Sequence, residues 1–246
     1  MNPIPQLVSL VAPGSLEADQ YRGLRHTMEQ VRRDRGHQVI AITSATAGDG
    51  KSLTTLNLAG ALAQSPDTRV LVVDADLHRP SIAKYLGFDE TDGPGLTDAI
   101  ERDGCSLADV ARDVGRSNLS AVPAGVCTSG PYELLNSARF QTLLTEARGS
   151  FDYVLIDTPP LVPLPDCRVI GRWGDGFLVV VTAHHTPRRA LAEALDLLDP
   201  GQVIGIVFNG DDRPLAPYSG YYSYAAGTEA VSAPTSGHSS SRRTNK

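Results

Sequence analysis

Five short runs of apolar, largely β-branched residues punctuate the chain, at 39–43 (VIAIT), 70–73 (VLVV), 153–156 (YVLI), 177–182 (FLVVVT) and 203–208 (VIGIVF). Each is apolar almost throughout and does not alternate with polar positions, which is the pattern of strands buried on both faces of a parallel sheet. The intervals between them are long enough for crossovers, and helical spacing is legible at 53–64, 140–148 and 188–198. The alternation of strand and helix predicts an α/β, doubly wound, mostly parallel sheet. A polar, arginine-bearing helix is expected at 17–35, with Gly36 as its stop. Beyond Asn209 the chain reads DDRPLAPYSGYYSYAAG and then turns rich in Ser, Thr, Gly and Ala, so disorder is expected from about Ala225 onward.

Composition narrows the field. Of 246 residues, 41% are hydrophobic and 20% charged, enough to bury a core, and 22 basic against 28 acidic residues give a net charge of −6. A surface built throughout to neutralise a nucleic-acid backbone is excluded. No apolar run approaches the roughly 18 residues that cross a bilayer, and the opening MNPIPQLVSLVAPG lacks the basic start of a secretory signal. A cytoplasmic location is therefore expected. Cys105, Cys127 and Cys167 are widely spaced without metal-ligand spacing, and read as ordinary buried, reduced thiols.

Candidate chemistry begins at ITSATAGDGKSL, 42–53, directly after a strand and directly before a helix. Gly48 and Gly50 let backbone amides curl toward an anion, the helix start adds free N–H groups, Lys51 reaches outer phosphates, and Ser52 holds a magnesium ion. The first position of the strict G-x4-G-K-[ST] pattern is Ala45, so a glycine-rich turn with a surface lysine is the competing reading. Two further strands end in acids: VLVVDADLHRP carries Asp74 and Asp76, and YVLIDTPP carries Asp157. Alternation sends Asp74 and Asp76 to one side if the extended geometry continues, and the carboxyl ends of parallel strands are where such folds bind ligands. Asp157 is placed to orient a magnesium-bound water beside Ser52.

These three motifs, ATAGDGKS, LVVDADLHRP and YVLIDTPP, resemble the Walker A, Walker A′ and Walker B motifs of the bacterial tyrosine kinases, which share a P-loop NTPase fold with the MinD/ParA ATPases. The likeness extends to GPGLTDAI at 93–100, PYELL at 131–135, DTPPLVPLPD at 157–166 and IVFNG at 206–210. It implies an ATP- and Mg2+-dependent protein-tyrosine autokinase that regulates synthesis and export of capsular or extracellular polysaccharide. Gly48, Asp49, Gly50, Lys51, Ser52 and Leu53 would hold the nucleotide, and Asn209 would contact the adenine. Ser52, Asp76 and Asp157 would hold the metal, and Asp74 would accept or orient the tyrosine proton, an assignment that could be exchanged with Asp76. The MinD/ParA switches usually carry a second lysine early in the loop, at the position of Thr46, which favours the kinase branch. In the D-x-D-x-R pattern the arginine position is His78, with Arg79 next, so reduced activity or a non-kinase scaffold is an alternative. His184 and His185 read as loop residues.

Four of the eight tyrosines, Tyr218, Tyr221, Tyr222 and Tyr224, crowd into seven residues. They form either an adhesive platform or a set of tethered substrates, and the resemblance implies the second, as phosphoacceptors. Asp19, Arg22 and Arg25 share a helix face at three-residue spacing, which by itself is a salt-bridged, solvated surface. The family's E-x2-R-x2-R helix assembles rings, and DQYRGLR matches it with Asp19 in the glutamate position. No nucleic acid is expected, since the patch of Arg22, Arg25, Arg32, Arg33 and Arg35 has only Tyr21 among it. The expected organisation is an oligomerisation segment at 1–36, a kinase domain at 37–215 and a flexible tyrosine tail at 216–246. The resemblance implies a homo-oligomeric ring, a membrane adaptor as activator, a protein tyrosine phosphatase, and a place at the inner face of the cell membrane through that partner.

Overall fold

The computed structural model describes residues 2–89, 93–115, 118–162 and 164–211. Tyr218, Tyr221, Tyr222 and Tyr224, and the tail expected to be disordered, lie outside the described residues. The chain opens with α1 (Val8–Val11) and α2 (Leu16–Arg35), then β1 (Val39–Ser44), α3 (Lys51–Leu62), β2 (Val70–Asp74), α4 (Ile82–Leu86), α5 (Leu96–Glu101) and α6 (Leu107–Val110). It continues through β3 (Arg112–Asp113), β4 (Leu119–Val122), α7 (Pro131–Leu135), α8 (Ala138–Ser150), β5 (Tyr153–Asp157), α9 (Asp166–Ile170), β6 (Gly176–Thr182), α10 (Arg188–Asp196) and β7 (Val203–Asn209). The strands form one seven-stranded sheet in the order β3-β4-β2-β5-β1-β6-β7, parallel except where β3 meets β4.

All five expected strands are present, and in β1, β2, β5 and β6 the uniform apolarity has the anticipated cause, whereas β7, at the sheet's end, is only partly buried, with Ile206 and Phe208 exposed. Along β1, Val39 and Ala41 join the cluster under Phe140, Leu143 and Leu144 of α8, while Ile40 and Ile42 join the opposite cluster under Leu56, Leu58 and Leu62 of α3. Both faces of the central strands are thus covered, and Thr43, Ser44, Asp74 and Asp157 are buried at their carboxyl ends. The expected helices are also present, within two residues of their predicted ends. Ser15 caps α2 by accepting the Ala18 N–H at 3.2 Å, and Gly36 ends it in the left-handed region at φ +71.

The sequence did not anticipate β3 and β4. The first is two residues long, and the second, LSAV, is a short strand followed by PAGV in the chain that leaves it. The N-terminal segment packs on the sheet's helical layer: Asn57 of α3 accepts the Ser9 N–H and donates to the Gln6 carbonyl, both at 3.0 Å, while Leu7 and Met28 are fully buried. Cys167 is fully buried as expected, but Cys105 and Cys127 are only half-buried.

Candidate active site

The sheet order explains why residues far apart in sequence meet. β5 lies between β1 and β2, with Asp157 in register with Ile42 on one side and with Asp74 on the other. The phosphate-loop candidate leaves the carboxyl end of β1, so loop, Asp74 and Asp157 emerge along one edge of the sheet, where this fold class binds ligands.

The loop 45–50 is shaped by two left-handed glycines, Gly48 at φ +90 and Gly50 at φ +82, the latter capping α3. Asp49 braces it from within. One carboxylate oxygen accepts both the N–H and the hydroxyl of Thr46 at 3.0 Å, and the other accepts the Thr186 hydroxyl at 2.6 Å. The Asp49 carbonyl accepts the Thr182 hydroxyl at 2.9 Å and Asn209 Nδ2 at 3.3 Å. Asp49 therefore ties the loop to the ends of β6 and β7 and is not aimed at a ligand. Asn209 lies against the loop backbone, close enough that a Cβ on Gly50 would come within 2.0 Å of its Nδ2. A Cβ on Gly48 would lie 3.9 Å from His185 Nε2, so His185 stands beside the loop although it and His184 sit in a turn, as expected.

The acids converge on Lys51. Its Nζ donates to Asp76 Oδ2 at 2.7 Å, and Ser52 Oγ donates to Asp157 Oδ2 at 2.5 Å. The extended geometry that would have aligned Asp74 with Asp76 does not continue, because β2 ends at Asp74 and residues 76–79 turn, with the Arg79 N–H donated to Asp76 Oδ1 at 3.0 Å. Asp74 instead accepts the N–H groups of Ser81 and Ile82 on Oδ2, both at 3.0 Å, which fixes the start of α4. Asp74 Oδ1 and Asp157 Oδ1 are buried with no hydrogen-bond partner.

Electrostatics follow from this crowding. Burial alone would lower the Lys51 ammonium, but Asp157, Asp76 and Asp74 outweigh it and raise it above its ordinary value. Burial, followed by the neighbouring Asp157 carboxylate, pushes Asp74 up to about 8 against the pull of its two amides. Burial likewise pushes Asp157 up to about 6, although Lys51 and the Ser52 hydroxyl oppose it. A cation bound here would relieve both carboxyls, and the orphan oxygen of Asp157 beside Ser52 Oγ is a donor set suited to a hard divalent ion. Among the described residues no group of three His, Cys, Asp or Glu side chains is placed to hold a metal alone. An ion completed by phosphate oxygens and water fits that arrangement.

Two pairings were not legible in the sequence. His78, in the position where the resemblance puts an arginine, bonds through Nε2 to Asp166 Oδ2 at 2.6 Å. Thr186 braces Asp49 from a turn after β6, and no motif marks it. On α2, Asp19 pairs with Arg22, Arg22 donates to the Pro13 carbonyl at 2.6 Å, and Arg25 donates to Glu29 at 2.7 Å and to the Ala61 carbonyl of α3 at 3.2 Å. All three predicted residues make contacts within the chain.

A strand, a glycine-hinged loop with Lys51-Ser52 at the head of a helix, and an acid ending the neighbouring strand define a P-loop NTPase. The matching family model, over residues 35–209, is ParA, described as an NUBPL iron-transfer P-loop NTPase. Tyrosine-protein kinase YwqD of Bacillus subtilis is 31% identical over 88% of this chain and 90% of its own length. The succinoglycan biosynthesis transport protein ExoP of Rhizobium meliloti is 32% identical over 85% of this chain, but this chain spans only 27% of it. The solved BceF tyrosine kinase domain superposes with a TM-score of 0.73 at 33% identity, covering 83% of this chain and 81% of that one. The chain belongs to the bacterial tyrosine kinase family, within the ParA-like P-loop NTPases.

Proposed function

We propose that this chain is an ATP-dependent protein-tyrosine autokinase that regulates capsular or extracellular polysaccharide synthesis and export. The observation that carries the reading is the convergence of Lys51, Ser52, Asp76, Asp157 and Asp74 at one sheet edge beside a braced phosphate loop. Amides of residues 48–53 would hold the phosphates, Asn209 would meet the adenine, and Lys51 would exchange Asp76 for the γ-phosphate. Mg2+ would rest on Ser52 with Asp157 and Asp76, and when bound it neutralises charge across the phosphate oxygens. The phenol oxygen of the acceptor bonds to the γ-phosphorus, the bond to the bridging oxygen breaks, ADP leaves, and the phenol proton passes to Asp74. The partnerless Oδ1 of Asp74 is the atom available to take that proton. The work of the chain's own residues is positioning and charge neutralisation.

The tail tyrosines Tyr218, Tyr221, Tyr222 and Tyr224 would be the acceptors, presented between neighbours in a ring held partly by Asp19, Arg22 and Arg25. Segments 1–36, 37–215 and 216–246 would then divide assembly, catalysis and acceptor. A membrane adaptor would activate the kinase and a tyrosine phosphatase would reset it. No helix among the described residues is long and apolar enough to cross a membrane, and such an adaptor would hold the chain at the cytoplasmic face. Thr46, where ATPase switches carry a lysine, favours the kinase over the switch, since it is consumed in bracing Asp49. The polysaccharide setting rests on relatives such as ExoP. Incubation with labelled ATP and Mg2+, with phosphotyrosine detection, tests the proposal. Lys51→Met and Asp157→Asn should each abolish phosphotyrosine while retaining the native circular dichroism spectrum, and normal labelling in either variant would remove the proposed site.

A further inference from the structure

The segments that leave β5 and β2 are held very differently. The one leaving β5 is pinned to β1: the Thr158 and Leu161 N–H groups donate to the Ile42 and Ser44 carbonyls at 3.1 and 2.9 Å, and Cys167 Sγ, near the head of α9, donates to Thr43 Oγ1 at 3.2 Å. Asp166, the first residue of α9, is 2% exposed beside it. The turn leaving β2 is packed far less, since His78, Arg79 and Pro80 are all exposed, yet it starts from the buried Asp76 that holds Lys51. His78 Nε2 meets Asp166 Oδ2 at 2.6 Å, so the exposed turn is tied to the pinned segment by a bond that spans 88 positions. Burying a carboxylate is costly without a donor, and His78 supplies one to Asp166.

We propose that His78 is a positioning residue for Asp76: through Asp166 it fixes the turn 76–79, so that the Asp76 carboxylate stays in the site when Lys51 leaves it for a phosphate. The inference rests on the reading of Asp76 as a magnesium-holding carboxylate and adds what keeps it in place. Asp76 has Lys51 Nζ on Oδ2 at 2.7 Å and the Arg79 N–H on Oδ1 at 3.0 Å. A bound nucleotide would draw Lys51 to its phosphates and leave the Arg79 amide, which belongs to the turn. That amide fixes the carboxylate relative to the turn and not relative to the rest of the fold. His78 contributes the second restraint, because its partner stands on the pinned side. The phosphate loop is braced independently, from β6, β7 and the turn after β6, through Thr182, Asn209 and Thr186 on Asp49. Phosphate binding and metal placement are therefore separable, and only the second runs through His78. The pairing also accounts for a histidine where the resemblance puts an arginine, since either side chain can present an N–H to Asp166.

Hydrogen exchange on the full chain, without nucleotide or metal, reads the tie directly. The N–H groups of Arg79, Ser81 and Ile82 are bonded to Asp76 and Asp74 and report on the turn, while the Thr46 N–H, bonded to Asp49, reports on the loop. His78→Phe keeps a ring and loses the nitrogen. It should speed exchange at the first three amides about tenfold, the effect of losing one hydrogen bond, and leave Thr46 unchanged. His78→Arg should keep the slow exchange. Titration of a fluorescent ATP analogue without Mg2+ should give the same affinity in all three proteins. The Mg2+ concentration that half-saturates the nucleotide complex should rise about tenfold in His78→Phe and stay unchanged in His78→Arg. The His78 side chain is 37% exposed, so this variant tests the tie even where Asp166→Ala, expected to give the same two changes, disturbs the buried head of α9. Unchanged exchange in His78→Phe overturns the tie. Faster exchange with an unchanged Mg2+ requirement leaves the pair a structural bond and overturns its positioning role. If both changes occur but the unaltered chain forms no phosphotyrosine from ATP and Mg2+, the positioning role stands and the kinase reading falls. Phosphotyrosine formed with neither change does the reverse.

Discussion

Replacing Gly50 with alanine isolates the contact between the phosphate loop and the last strand. Gly50 has φ +82, where a residue with a Cβ costs about 1–2 kcal/mol. The new methyl would also lie 2.0 Å from Asn209 Nδ2 and 3.3 Å from its Cγ, so the amide must swing away. That motion breaks the 3.3 Å hydrogen bond from Asn209 to the Asp49 carbonyl, worth about 1 kcal/mol. Gly50→Ala should therefore destabilise by about 2–3 kcal/mol. Asn209→Ala alone, which loses only the hydrogen bond, should cost about 1 kcal/mol. Because the single Gly50→Ala change already forfeits that bond, adding Asn209→Ala should cost almost nothing more, leaving a coupling of about 1 kcal/mol between the sites. Urea unfolding of the wild-type protein, both singles and the double, at constant m-value, measures each term. Fluorescent-nucleotide titration should show weaker binding in every variant carrying Gly50→Ala, since the loop amides no longer converge. Strictly additive stabilities would refute the contact between Asn209 and the loop.

Three other expectations follow from the same geometry. His78→Arg should raise autokinase activity, by more than Arg79→Lys does, if the missing guanidinium limits the rate; equal or lower initial velocities would show that the His78 and Asp166 pair already serves. Burial would raise the Asp175 carboxyl, but Arg148 and the amides of Val39 and Gln38 outweigh it and hold the group below the usual carboxylate range. Its stabilisation is thus complete above the ordinary carboxylate value and is lost as pH falls through the lowered one, so Asp175→Asn should flatten the acid limb of a stability-against-pH curve, and an unchanged limb would contradict the assignment. In the proposed ring, autophosphorylation between neighbours should give a labelling rate per molecule that rises with protein concentration in the dissociated range. Each phosphate adds about −1.5 to −2 charge, and tails so charged would be repelled by Asp74, Asp76 and Asp157. Light scattering should then show a smaller mass after phosphorylation, with the variant carrying Phe at 218, 221, 222 and 224 unchanged.

How much could be read in advance depended on whether a feature was local. β1, β2, β5 and β6 declare themselves because two-sided burial leaves polar positions only near their carboxyl ends, β7 is legible by its apolar, β-branched run although it is only partly buried, and α2 is bounded by a serine and a glycine whose capping roles depend on immediate neighbours. The phosphate loop and its acids are legible as well, each being a strand end followed by a fixed short pattern. β4 escaped notice because four residues, one of them Ser120, carry too little apolar signal, and β3 exists only as its antiparallel partner. The bond between His78 and Asp166 spans 88 positions, and the brace from Thr186 to Asp49 spans 137. Neither has a sequence signature, since only the sheet order brings the segments together. At Asp74 only the chemistry is legible in sequence, since its second duty of anchoring α4 through two amides depends on where residues 75–80 turn.

The register between β2 and β5 has a further consequence. Asp74 and Asp157 face each other across neighbouring strands whose spacing, about 4.8 Å, is a constant of the hydrogen-bonded ladder and not of the side chains. Two flexible loops bearing like charges could drift apart to ease their repulsion, but paired residues in the centre of a sheet have nowhere to go. The sheet is a ruler, and it turns an electrostatic problem into a chemical one: whatever eases the repulsion must be a proton or a cation, because distance is not free to change.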